Sequence, residues 1–147
     1  MAVLRDYATS LKAQGFKNIF YLGDSGGNTR GMRAVAEELT AAWQGEDVVV
    51  AHVPEFYNYG DVREYQRDVL GVDETQYADG FHDNYYISTI IMNDDPSYVR
   101  LEQRIKAGKT TTNGFSIVPV GEAIEHGRRL AEFRADVTVD AIRKLMR

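Results

Sequence analysis

Val3, Leu4, Tyr7 and Leu11 recur at three- and four-residue intervals, and Gly15 follows them. That spacing predicts a short amphipathic helix closed by a glycine. Phe16 to Leu22 (FKNIFYL) is a largely apolar run and predicts a buried strand. Gly23 to Asn28 (GDSGGN) has the composition of a turn. Met32, Val35, Ala36, Leu39 and Trp43 then share one face of a helix predicted over Thr29 to Trp43, with Asn28 or Thr29 near its N-cap. Gly45, Glu46 and Asp47 break that helix. The β-branched run Val48 to Val53 predicts a second strand.

Beyond Val53 the pattern is less regular. Pro54 to Gly60 (PEFYNYG) reads as irregular and aromatic, Asp61 to Leu70 as a short helix, and Gly71 to Gly80 as a polar loop. His82 to Met92 has no clean period and fits a buried helix or a strand. Val99, Leu101 and Ile105 suit a short helix, and Gly108 to Asn113 (GKTTTN) a loop. Phe115 to Val120 reads as a short strand, placed at an edge by Pro119. From Ala123 to Leu145 the apolar spacing predicts a long helix, weakened at Gly127 and at Val137 to Val139.

Helices alternating with strands fit a mainly parallel sheet covered by helices. Two strands alone make a poor sheet for 147 residues, so partner chains or further strands are expected to complete it. The length suits one domain. The chain has no cysteine, which excludes thiolate chemistry, disulfides and cysteine-held zinc. Its net charge of -5 argues against nucleic acid or an anionic membrane as the main partner. The N-terminal stretch lacks the apolar core of a signal peptide, and no run approaches the roughly 20 residues of a membrane span. A cytoplasmic location follows as the expectation.

The turn GDSGGN stands after a strand and before a helix, where sites form in α/β sheets. Gly26 and Gly27 allow close backbone approach, Asp24 has the chemistry of a metal ligand, and Ser25 that of a hydrogen-bond donor. A plain tight connection fits the same residues. Neither GxGxxG nor the closing GK[ST] of a phosphate loop is present. Gly23-Asp24-Ser25-Gly26-Gly27 does match the nucleophile-elbow pattern GxSxG. In that reading Ser25 is a nucleophile, His82 or His126 its base, and the acid Asp136 or Asp140, or, in better keeping with the usual order, Asp79 or Asp94 before His126.

Three stretches, in order, carry a resemblance: LKAQGFKNIFYLGDSGGNTRGMRAVAEEL, HDNYYISTIIMNDDP from His82 to Pro96, and NGFSIVPVGEAIEHGRRLAE. Together they resemble the later portion of the creatininase (creatinine amidohydrolase) family. The family's turn reads Asn-Gly-His-Gly-Gly-Asn and its second motif His-Ala-Gly-Glu-x-Glu-Thr-Ser. The resemblance implies a three-layer α/β/α fold with a mainly parallel sheet. It implies a single creatininase-like domain over residues 1–147, truncated so that its N-terminal strands and Glu-x-His-Gly metal segment are lacking. It also favours a helix for His82 to Met92. For active relatives it implies divalent-metal hydrolysis, by zinc or manganese, of a C–N bond in a small amide substrate, within a homo-oligomer.

Laid on the family motifs, this sequence departs at the ligands. The turn histidine falls on Ser25. The second motif keeps its histidine as His82, but its first glutamate falls on Tyr85 and its second on Ile87, with Ser88 and Thr89 in place of Thr-Ser. If activity persists, the expected groups are His82 for acid–base or metal work, Asp24 as a substitute metal ligand, and Gly26, Gly27 and Asn28 for turn geometry or substrate contact. A divergent or inactive relative, with no cofactor, is the companion expectation. A non-catalytic binding or assembly protein and a serine hydrolase using Ser25 are the alternatives. His52, at the end of the second strand, holds a site-like position. The aromatic loop of Phe56, Tyr57 and Tyr59 suits packing or a subunit contact.

Overall fold

The computed structural model describes residues 1–77 and 84–146. The chain divides into two compact units, Met1–Asn58 with Ala135–Arg147, and Tyr59–Arg134.

In the first unit α1 (Ala2–Ala13), β1 (Asn18–Tyr21), α2 (Gly26–Ala42) and β2 (Val49–His52) follow one another. The strands pair in parallel, Asn18 opposite Val49 and Tyr21 opposite His52, with α2 as the crossover. Ile19 and Tyr21 are buried while Asn18 is exposed, the period of two expected of a strand. Val35 and Leu39 of α2 meet Ala8 of α1 and Ile19 and Val50 of the strands in one apolar cluster. The Tyr21 hydroxyl donates to the Leu4 carbonyl at 2.8 Å, and Arg5 grips Glu38 through Nε and Nη2, each at 2.7 Å. Ser25, rather than Asn28 or Thr29, is the N-cap of α2, so Gly26 and Gly27 lie inside the helix.

The structure does not form the expected three-layer α/β/α fold with a mainly parallel sheet. Among the described residues the strands make only two two-stranded sheets, β1 with β2, and an antiparallel pair of β3 (Thr111–Thr112) and β4 (Phe115–Ser116). Most of the remaining chain is helical. A broad parallel sheet needs several near-continuous apolar strands buried on both faces. Only FKNIFYL and the run to Val53 supply such segments, and the other long apolar stretches close as helices.

The second unit contains α3 (Tyr59–Leu70), α4 (Tyr85–Asp94), α5 (Leu101–Lys106), the β3–β4 hairpin and the first part of α6 (Val120–Leu145). Tyr85, Tyr86, Thr89 and Met92 of α4 are all buried. A helix covered on most of its faces loses its amphipathic period, which explains the ambiguous pattern there. Its first turn is capped by Asn84, whose side-chain oxygen accepts from the Ile87 amide at 2.8 Å. Tyr59 meets the Tyr86 ring edge-on, and Tyr65 stacks on Phe133. Helix α6 runs unbroken through Gly127 and through Val137 to Val139, where weakening was expected. A Cβ built on Gly127 would lie 1.9 Å from the Thr89 carbonyl oxygen, so the glycine permits α4 and α6 to touch backbone to backbone. The stretch GKTTTN ends in a hairpin: Asn113 and Gly114 have φ of 46° and 74°, the left-handed pair that a tight two-residue turn requires.

Candidate functional site

The glycine-rich turn lies in the first unit, at the end of β1 and the start of α2. Asp24 to Asn28 are exposed. The Asn28 amide donates to the Ser25 carbonyl at 3.0 Å, which closes the first turn of the helix. Ser25 has extended backbone angles, φ -153° and ψ 127°, and its hydroxyl does not cap the helix. A nucleophile elbow holds its serine in a strained turn with a histidine within hydrogen-bond reach. Neither feature accompanies Ser25 among the described residues. Gly26 faces the Tyr57 ring, whose hydroxyl would sit 3.3 Å from an added Cβ. In the same unit His52 ends β2 and lines a groove of about 610 Å³. Its Nε2 is buried without a partner among the described residues. Burial, followed by the charge of Arg33, lowers its pKa and favours the neutral ring.

His82 lies outside the described residues. The rest of the second motif opens α4 in the second unit. Tyr85 is 3% exposed, and its hydroxyl lies 2.9 Å from Nδ1 of His126 on α6. Both line a cavity of about 230 Å³ with Phe115, Val118, Glu122 and Ala123 among its walls. Burial first, then the nearby carboxylates of Glu122 and Glu74, push the Tyr85 phenol up to about 12. The phenol is therefore protonated at neutral pH. His126 is its hydrogen-bond partner through Nδ1, and the bond orients the imidazole ring against the phenol. The arrangement is a pair of oriented hydrogen-bonding groups at the edge of a small cavity.

The raised pKa has a measurable consequence. The unfolded phenol ionises near pH 10, so the contribution of Tyr85 to stability is level below that pH. It is lost between pH 10 and about 12, because the unfolded chain sheds its proton first. In a spectrophotometric titration of the nine tyrosines a late-ionising fraction should appear, and Tyr85→Phe should diminish it. A single step shared by all nine would contradict the assignment.

Glu74 supports this end of α4 from beneath. It is 3% exposed and accepts from the Tyr85 amide at 2.6 Å, the Tyr86 amide at 3.2 Å, Gln66 Nε2 at 2.9 Å and Asn113 Nδ2 at 3.1 Å. A carboxylate here meets the first free amides and the positive end of the helix dipole. The sequence flagged neither Glu74, which reads as one polar residue in a polar loop, nor the pairing of Tyr85 with His126. The four-residue spacing of Glu122 and His126 on one helix face was the only available signal.

A divalent-metal centre requires several imidazole or carboxylate donors close together. Where the motif resemblance would put family ligands stand Ser25, Tyr85 and Ile87: a hydroxyl, a phenol hydrogen-bonded to His126, and a hydrocarbon. Among the described residues no group of three or more histidine and carboxylate side chains converges as a metal site would require. The side chains present there do not fit a two-metal centre.

The family model for creatinine amidohydrolase matches residues 1–141. The match takes in α1 and β1 from the first residue. It overturns the expectation that the chain represents only a truncated later portion of the domain. No curated protein and no solved structure matches the chain. No helix among the described residues is long and apolar enough to cross a membrane. Matched over nearly its whole length, the chain belongs to the creatininase family.

Proposed function

We propose that this creatininase-family protein binds a ligand through the family scaffold and does not hydrolyse an amide. The observation that carries the reading is Tyr85. The motif resemblance puts it where the family has a glutamate; it is buried, and its hydroxyl is hydrogen-bonded to His126. Metal-dependent hydrolysis needs several anionic or imidazole donors around each cation to generate a nucleophilic hydroxide at neutral pH. A phenol that ionises near 12 is a poor substitute for a carboxylate. The 230 Å³ cavity, with Tyr85, His126, Glu122 and Ser116 among its walls, is suited to holding a small polar molecule.

Calorimetric titration of the chain with zinc and with manganese tests this. The expected result is no stoichiometric binding at micromolar protein. Tight binding of one or two ions, abolished by Asp24→Ala or His82→Ala, would restore the amidohydrolase reading with those residues as ligands. A fluorophosphonate probe addresses the remaining hydrolase chemistry. Ser25 is expected to stay unlabelled, since its hydroxyl has no activating histidine among the described residues.

A further inference from the structure

We propose that the second unit carries a separate anion site, in the cleft formed by α5 and β3, which takes a small soluble phosphomonoester. The cleft has a volume of about 650 Å³, and Arg100, Arg104 and Lys109 line it with Ser88, Thr112 and Asn113. None of its lining residues is acidic. This concentration of positive charge occurs in a chain whose net charge is -5.

Arg104 is the organising group. Its Nε donates to the Lys109 carbonyl at 3.1 Å, and its Nη2 donates to the Thr111 carbonyl at 3.2 Å and to Thr112 Oγ1 at 3.1 Å. All three acceptors are uncharged. They fix the plane of the guanidinium without neutralising it, and they leave both protons of Nη1 without a partner among the described residues. Arg100 and Lys109 likewise form no ion pair among the described residues. Other cations of this chain are held by carboxylates, Arg5 by Glu38 and Arg128 by Glu125 and Glu132, whereas these three share one cleft with no acidic wall. Three unpaired cations around one cleft repel one another, and an anion relieves that repulsion.

The chemistry of the donors selects the anion. A fixed guanidinium presents parallel N–H groups that match two oxygens of a phosphate, and a second arginine and a lysine answer its second charge. Ser88, buried at the start of α4, adds a hydroxyl, and Asn113 adds an amide. A carboxylate carries one charge and would leave most of this set unused. The volume accommodates a phosphate with a small organic body. A nucleic acid would call for a basic stripe continuing beyond the cleft, which an acidic chain is poorly placed to supply.

The test titrates the full chain with glycerol 2-phosphate at low salt, followed by calorimetry and by the amide and guanidinium nitrogen resonances. The expected result is saturable one-to-one binding that shifts the Arg104 Nε–H signal and weakens as salt is raised. Arg104 also ties the hairpin to α5, so the discriminating variant is Arg100→Gln with Lys109→Gln, at two exposed positions. That variant should unfold at the parental temperature in the absence of ligand and bind about tenfold or more weakly. Acetate at equal ionic strength should bind far more weakly than the phosphomonoester. The proposal is overturned by the absence of saturable binding, by unchanged affinity in the double variant, by acetate matching the phosphomonoester, or by a clear preference for an RNA oligonucleotide or a phosphopeptide. These outcomes are independent of whether zinc or manganese binds.

Discussion

Gly127→Ala is expected to destabilise the Tyr59–Arg134 unit by roughly 3 kcal/mol. The sign is the informative part. On an open helix face the same change should stabilise by up to about 1 kcal/mol, because alanine is the better helix former. At Gly127 the new methyl would meet the Thr89 carbonyl oxygen at 1.9 Å and its carbon at 2.4 Å. These are backbone atoms of a buried helix, so relief requires α4 and α6 to separate. Separation opens gaps around Tyr86 and Leu130, which share an apolar cluster across the same two helices. Gly121→Ala is the control. It lies on the same helix with nothing within 4 Å of an added Cβ, and it should be neutral or slightly stabilising. Urea unfolding of both variants decides the matter, and equal midpoints would contradict the close approach of the two helices.

Glu74→Ala is expected to cost about 4 kcal/mol. The carboxylate accepts four hydrogen bonds while 3% exposed, two of them from backbone amides opening α4. Removing it strands those amides, along with Gln66, itself buried, and Asn113. Each buried donor left unsatisfied costs on the order of 1–3 kcal/mol, with water entering the gap to soften the total. Glu74→Gln keeps the volume and one acceptor oxygen, but it turns an –NH2 toward two donors and removes the charge that favours the helix N-terminus. About 2 kcal/mol is expected for it. The order Ala worse than Gln, read from urea unfolding, is the signature of a carboxylate used as an acceptor hub. Losses below about 1 kcal/mol for both variants would mean that the loop before α4 does not brace the helix.

The first unit was legible because its periods are clean. FKNIFYL and the run ending at Val53 are long enough for strands, and the apolar face from Met32 to Trp43 has no reading except a helix. What the sequence obscured was how few strands follow. The order of elements implied a wide parallel sheet, but that inference needs additional apolar strands. The residues from Tyr85 onward form α4, the helix that the resemblance favoured over a strand, and its burial on most faces erases its period. The hairpin at Asn113-Gly114 carries a recognisable signal, since this dipeptide supplies the two left-handed residues of a tight turn. It was read only as the end of a loop because the flanking strands are two residues each.

The site was legible in part. Laid on the family motifs, Ser25, Tyr85 and Ile87 stand where the resemblance implies ligands, and none of the three has the chemistry of the residue it would replace. His82 lies outside the described residues. The partner of Tyr85 could not be read from sequence, because 41 positions separate it from His126 and only the packing of α4 against α6 brings them together. Glu74 was equally hidden, since a carboxylate in a polar loop is ordinarily solvated. The reading of the chain as a later portion of the family domain failed for another reason. It relied on ligand motifs, whereas the family match begins at the first residue.

Elemental analysis of the purified chain, expressed in a host grown with added zinc and manganese and stripped of loosely held ions on a desalting column, tests the central claim most directly. The account expects zinc and manganese contents far below one atom per chain. One or two atoms per chain, retained through the column and lost together in the Asp24→Ala, His82→Ala double variant, would contradict it.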